Sequence, residues 1–163
     1  MKQVYKNLFV GSQEDYENNK GLFANWAVIH ACKYPYHKEV VGYKTASAPK
    51  GPLYYYAYDK FNHLSLNMID VESSLFFADE MIDEAIEYCI KALKEEKPIL
   101  IHCNKGESRA PCLAMMILRK IGYYKCSFAE AVLLFRTAYP DFNPKSGIYE
   151  YSNNRWDDLL DEN

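Results

Sequence analysis

The segment His102-Cys103-Asn104-Lys105-Gly106-Glu107-Ser108-Arg109 puts a sulfur nucleophile, a central glycine and a guanidinium into one short stretch. It lies between an apolar run, Pro98-Ile99-Leu100-Ile101, and a stretch from Ala110 to Lys120 that can form a helix. The cysteine therefore falls at the end of a buried strand and the arginine at the mouth of a helix. Sites of open α/β sheets gather where strand carboxyl ends meet helix amino ends. The first N–H groups of a helix have no internal partner, and the helix dipole is positive there. Successive loop amides can turn inward as an anion nest, and Gly106 permits the tight turn. Such a cradle attracts a phosphate dianion and favours the thiolate of Cys103 over its thiol. Arg109 offers a planar fork that can grip two phosphate oxygens at once, which a lysine cannot. Asn104, Lys105, Gly106, Glu107, Ser108 and Arg109 are thus the expected phosphate-binding residues around Cys103.

A lone Cys-x5-Arg pair would read as a core cysteine and a surface arginine. Here the preceding histidine, the glycine, the Ser-Arg pair and the strand–helix context agree on catalysis. The loop is not of the nucleotide-binding type, since Gly106 is not followed by Lys-Ser or Lys-Thr.

The rest of the chain supplies the frame. Val4 to Val10 predicts a strand or short hairpin ending at Gly11, followed by a helix capped by Ser12. Trp26 to Cys32 predicts a central strand. Residues 33 to 52 carry Pro35, Gly42, Pro49, Gly51 and Pro52 and predict an irregular excursion. Tyr54 to Tyr58 and His63 to Met68 predict strands about a turn at Asp59-Lys60-Phe61-Asn62. From Ser74 to Glu96, Leu75, Ala78, Met81, Ile82, Ala85, Ile86, Cys89, Ile90 and Leu93 form one helical apolar face, capped by Ser73 or Ser74. Ile99 to Cys103 predicts a strand and Ala110 to Ile121 a helix closed by Gly122. Ser127-Phe128-Ala129-Glu130 is a capping box for a helix reaching about Tyr139, and a last helix covers Ser146 to Leu160. Strands alternating with helices imply an α/β fold: a central mixed, mainly parallel sheet with helices on both faces.

The 163 residues suit a single domain. A net charge of -3 with no dense basic tract argues against a nucleic-acid partner. No apolar run is long enough to span a membrane, and the start has no signal-peptide core. The five cysteines are odd in number and widely spaced, which suggests reduced thiols in a cytoplasm.

At residues 101–109 the chain resembles the cysteine-dependent protein tyrosine phosphatase superfamily, and most closely its small dual-specificity branch. Ile101 to Arg109 fits that branch's signature of His-Cys, two residues, Gly, one residue, Ser or Thr, Arg. A weaker likeness extends through Asn7-Leu8-Phe9-Val10-Gly11, through Phe76-Phe77 with Ile82, Ala85 and Ile86, and through Ala129 to Arg136 with Tyr139-Pro140. Residues 33 to 62 lie outside it. The resemblance implies that Cys103 attacks phosphorus to form a cysteinyl-phosphate, which water hydrolyses. Arg109 and the loop amides would hold the equatorial oxygens, and His102 would sit behind the cysteine and support its thiolate. It also implies a general acid, an aspartate on a mobile loop upstream. Asp70 stands at the matching distance, with Glu72 as the alternative and helix initiation as the competing role. The branch usually has Ser or Thr after the arginine, whose hydroxyl helps the sulfur leave in the second step. Ala110 lacks it, so hydrolysis of the intermediate is expected to be slow unless Ser108 compensates.

Other features carry weaker expectations. His30, Cys32 and His37 could share a metal, but no fourth ligand is evident and a satisfied histidine at a buried strand end is the expectation. No metal or cofactor is required by the reaction. Cys89 and Cys112 are expected in the core, although Cys112 could also pair with an oxidised Cys103. The 15 tyrosines concentrate between Tyr34 and Tyr58, where some could wall the cleft. Glu107 opposes Lys105 at the rim, so no strongly basic pocket is expected. The expected function is hydrolysis of phosphotyrosine, with phosphoserine or phosphothreonine depending on pocket depth, in a phosphorylated protein or small phosphomonoester. The alternatives are a phosphatase of RNA 5′ ends, a lipid or a small metabolite, and a module that binds phosphate without turning it over.

Overall fold

The computed structural model describes residues 1–160 and is organised around one six-stranded sheet. β1 (Lys2–Tyr5) and β2 (Leu8–Ser12) form an edge hairpin. β3 (Ala27–His30), β4 (Tyr56–Tyr58), β5 (Leu64–Leu66) and β6 (Ile99–Cys103) complete the sheet in the order β1-β2-β6-β3-β5-β4. The pairs β2–β6, β6–β3 and β3–β5 are parallel, and both edge pairs are antiparallel. The apolar run Ile99-Leu100-Ile101 lies at the centre because both of its faces are covered, as parallel strands require.

Alternation along β6 assigns its side chains to two cores. Ile99, Ile101 and Cys103 join the larger one, built with α4 (Asp79–Lys94), α5 (Arg109–Lys120), α6 (Phe128–Ala138) and α7 (Ser146–Leu159). Leu100 turns to the opposite face, with Val28, Tyr16 of α1 (Gln13–Glu17), Phe23 of α2 (Lys20–Phe23), Cys32 and Tyr36. A turn at Lys33–His37, interrupted by an extended Tyr34, and α3 (Lys38–Val41) follow β3, so the irregular excursion contains a short helix. α5 is buried from Arg109 to Arg119, as a helix covered on all sides must be. Ser12 and Ser127 form the capping boxes that start α1 and α6.

The helix expected from Ser74 begins later. Ser73 caps only a short turn at Ser74–Phe76, and Phe77 and Ala78 are extended before α4 starts at Asp79. Leu75, assigned to the apolar face, is 92% exposed. Phe77 instead enters the core against Tyr151, with ring centroids 5.8 Å apart. No helix of the described residues is long and apolar enough to cross a membrane.

Candidate active site

β6 ends at Cys103 and α5 begins at Arg109, so the loop between them spans a strand end and a helix start. Its carbonyls are turned outward onto the protein. The Asn104 carbonyl accepts from Gln13 N at 3.2 Å, that of Glu107 from Asn143 N at 2.8 Å, and that of Gly106 from the Tyr139 hydroxyl at 2.7 Å. Among the described residues none accepts from the amides of Lys105 to Ser108. Those donors remain for an anion. Gly106 has φ +76, and a Cβ there would stand 2.8 Å from the Gly11 carbonyl oxygen. Only glycine fits this combination of left-handed backbone and close approach.

The loop surrounds a hollow of about 400 Å³ lined by Asp70, Cys103, Ser108, Arg109, Asn143 and Lys145 among others. Cys103 lies at its floor, 2% exposed. Arg109 is 7% exposed and held from two sides: Nη1 donates to the Met68 carbonyl at 2.9 Å and Nη2 to Asn104 Oδ1 at 2.7 Å. Its buried Nε has no partner. A buried guanidinium donor left unpaired is costly unless an anion fills the site. Asn104 in turn donates to Gln13 Oε1 at 2.8 Å and to the Tyr34 carbonyl at 2.9 Å. Its side chain therefore positions Arg109, and its place among the phosphate-binding residues rests on the main chain.

Asp70 is brought to the hollow from the segment after β5. Ser108 Oγ donates to Asp70 Oδ1 at 2.9 Å and accepts from Lys145 N at 2.9 Å. Ser108 makes no side-chain cap on α5, so the first amides of that helix stay open toward the hollow. Its hydroxyl proton is committed to Asp70, which leaves nothing to replace the hydroxyl missing at Ala110. Glu72 is directed elsewhere, its carboxylate 2.5 Å from Ser146 Oγ. Lys105 is exposed and Glu107 half-buried at the rim.

His102 departs from expectation. Its ring points to the opposite face of the sheet from Cys103, stacked on Tyr16 at 5.0 Å with Nε2 2.6 Å from His30 Nδ1. Nδ1 lies 3.4 Å from the Cys103 carbonyl. It touches main chain rather than sulfur. Burial pushes its pKa down to about 4, so it is neutral at pH 7.

The structure does not gather His30, Cys32 and His37. His37 is satisfied by Tyr43 and by the Leu53 carbonyl, 3.1 and 2.9 Å away. Burial pushes the Cys32 thiol up to about 12. None of the tyrosines between Tyr34 and Tyr58 lines the hollow at Cys103. Tyr54 and Tyr55 line a separate one with Lys33 and Lys50, and Tyr36 stacks on His30 at 4.1 Å. Asn143 and Lys145 were missed in the sequence because no local motif marks them. Lys145 Nζ donates to the Asp70 carbonyl at 3.2 Å and adds a positive charge to the hollow.

No protein-family model matches the sequence, and no curated protein does either. Solved structures do. A leucine-rich repeat and phosphatase domain containing protein from Entamoeba histolytica is similar at a TM-score of 0.61 with 17% identity, covering 99% of this chain and 95% of that one. Human DUSP28 is similar at 0.64 with 16% identity, covering 97% and 93%. PTPMT1, in complex with PI(5)P, is similar at 0.65 with 12% identity, covering 96% and 94%. The chain has the α/β fold of the small dual-specificity-like branch of the cysteine-dependent phosphatases.

Proposed function

We propose that the protein hydrolyses phosphomonoesters, with protein phosphotyrosine as the substrate class. The observation that carries this reading is the floor of the hollow: Cys103 lies beneath open loop amides and beside a buried Arg109 whose Nε lacks a partner. Cys103 Sγ attacks phosphorus and forms a P–S bond as the bond to the ester oxygen breaks. That oxygen leaves with a proton from Asp70. Water then attacks the phosphocysteine and gives a proton to the Asp70 carboxylate, releasing phosphate and the thiolate. Arg109, the loop amides and the start of α5 hold the charge that spreads over the phosphoryl oxygens. The burial of Cys103 favours a long phosphorylated side chain that can reach the floor, which supports phosphotyrosine over phosphoserine.

Turnover of para-nitrophenyl phosphate tests the enzyme reading. It is expected in the wild type, lost in Cys103→Ser and reduced by about 10²–10⁴ in Asp70→Asn. Tight phosphate binding without turnover would instead make the chain a binding module.

Lys145 favours a second reading, a phosphorylated lipid headgroup, because it adds a cation beside Arg109. A panel comparing a phosphotyrosine peptide with a phosphoinositide at equal pH separates the two.

A further inference from the structure

On the face of the sheet opposite Cys103, three further polar side chains converge. His30 comes from the end of β3, and Asp59 and His63 come from the turn joining β4 to β5. The parallel pairing of Ile29 with Leu64 brings them together. One ligating atom from each lies within 4.8 Å of the others. His63 Nδ1 stands 3.6 Å from Asp59 Oδ2. Tetrahedral zinc, with bonds of about 2.0–2.1 Å, separates its ligand atoms by about 3.4 Å. The Asp59–His63 pair already has nearly this spacing.

The donor atoms are free for such a role. His63 is 2% exposed, yet neither ring nitrogen makes a hydrogen bond. The backbone of Trp26 and Phe23 lies near its ring. Ser65, fully buried beside it, has an unpartnered Oγ. Asp59 uses Oδ1 to accept from Phe61 N and His63 N at 2.8 and 2.9 Å, which leaves Oδ2 toward His63. His30 meets His102 through Nδ1, so Nε2 is its remaining ring donor. A hollow of about 320 Å³, lined by His30, Asp59, Ser65, Tyr16 and Glu17 among others, provides a way in and room for water.

We propose that His30, Asp59 and His63 form a binding site for a divalent cation of the zinc class, open at a fourth position to this hollow. Two neutral imidazoles and one carboxylate suit such an ion better than calcium or magnesium, which take oxygen ligands. His30 is 2% exposed and lies at the inner wall of the hollow, within reach of Asp59 and His63. Ligation through Nε2 keeps the His30 proton on Nδ1, donated to His102 Nε2. His102 then carries its proton on Nδ1, facing the Cys103 carbonyl. The ion therefore fixes both tautomers beneath the catalytic loop.

The test uses the full chain with Cys103→Ser, which removes a competing sulfur ligand. Equilibrium dialysis against Zn²⁺ is expected to return one equivalent per chain. Co²⁺ in its place is expected to give visible d–d bands with no sulfur-to-metal charge-transfer band. Adding Asp59→Asn or His63→Gln is expected to weaken binding at least tenfold, with circular dichroism confirming the fold. Asp59→Asn preserves the Oδ1 acceptor of the turn and decides alone if His63→Gln does not fold. Less than one equivalent bound, unchanged affinity in Asp59→Asn, or a sulfur charge-transfer band would overturn the proposal.

Discussion

Ser108 ties Asp70 to the phosphate loop: its hydroxyl donates to Asp70 Oδ1 at 2.9 Å, while Lys145 N donates to the same oxygen of Ser108. The carboxyl proposed as proton donor and the loop proposed to hold phosphate are thus fixed in one frame. Removing one such hydrogen bond costs about 1 kcal/mol, or roughly fivefold in rate. Ser108→Ala is expected to lower kcat by about this factor on phenyl phosphate. The fall should be smaller on para-nitrophenyl phosphate, whose leaving group needs less help. Equal effects on both substrates would show that Ser108 acts on phosphate binding and not on Asp70.

Ala110 is fully buried behind the loop, and the Ser108 hydroxyl is spent on Asp70. No hydroxyl in this segment is free to assist the departing sulfur. Stopped-flow turnover is therefore expected to show an initial burst followed by a slower steady rate. Ala110→Ser is expected to raise the steady rate and shrink the burst. A linear time course with no gain in the variant would contradict this.

Much of this site was legible in the sequence because its parts are contiguous. The strand Ile99–Cys103 has its expected bounds, and Cys103, Gly106 and Arg109 meet through a loop whose spacing alone forces proximity. The helix start after Ser73 was misplaced because Ser73 does cap something, but only a short turn. The burial of Phe77 against Tyr151 breaks that turn from α4. That contact joins distant parts of the chain, and no local pattern announces it. Lys145, the Met68 carbonyl that holds Arg109, and the meeting of His30 with His63 across the parallel sheet are of the same kind. His102, expected behind the sulfur, faces the other way because strand alternation sends it to the face opposite Cys103.

Gly106 leaves no room for a methyl group. An alanine would need φ +76 and would meet the Gly11 carbonyl carbon at 2.9 Å. Gly106→Ala is expected to cost at least about 1 kcal/mol in denaturant unfolding. Displacing the loop amides should lower kcat/KM by about 10². Wild-type kcat/KM in a folded Gly106→Ala variant would show that the nest is not needed.

His102 makes stability depend on pH. Burial holds its pKa at about 4 in the folded protein, against 6.5 ordinarily. Between these values the unfolded chain binds a proton that the folded chain does not. Stability is therefore lost as pH falls through this window, by at most about 3 kcal/mol. His30, depressed for the same reason, acts in the same direction. Thermal melts are expected to show a falling Tm from pH 6.5 toward 4.5. His102→Gln should be less stable at pH 7 yet lose less on acidification. Parallel pH profiles for the two proteins would rule this out.

The most direct test is to incubate the wild-type protein with an aryl phosphate, quench in acid and map any attached phosphoryl group by mass spectrometry. The slow second step predicted from Ala110 should let the intermediate accumulate, with one phosphoryl group on Cys103 and none in Cys103→Ser. Turnover with no phosphoryl group at Cys103, or turnover that survives Cys103→Ser, would contradict the account.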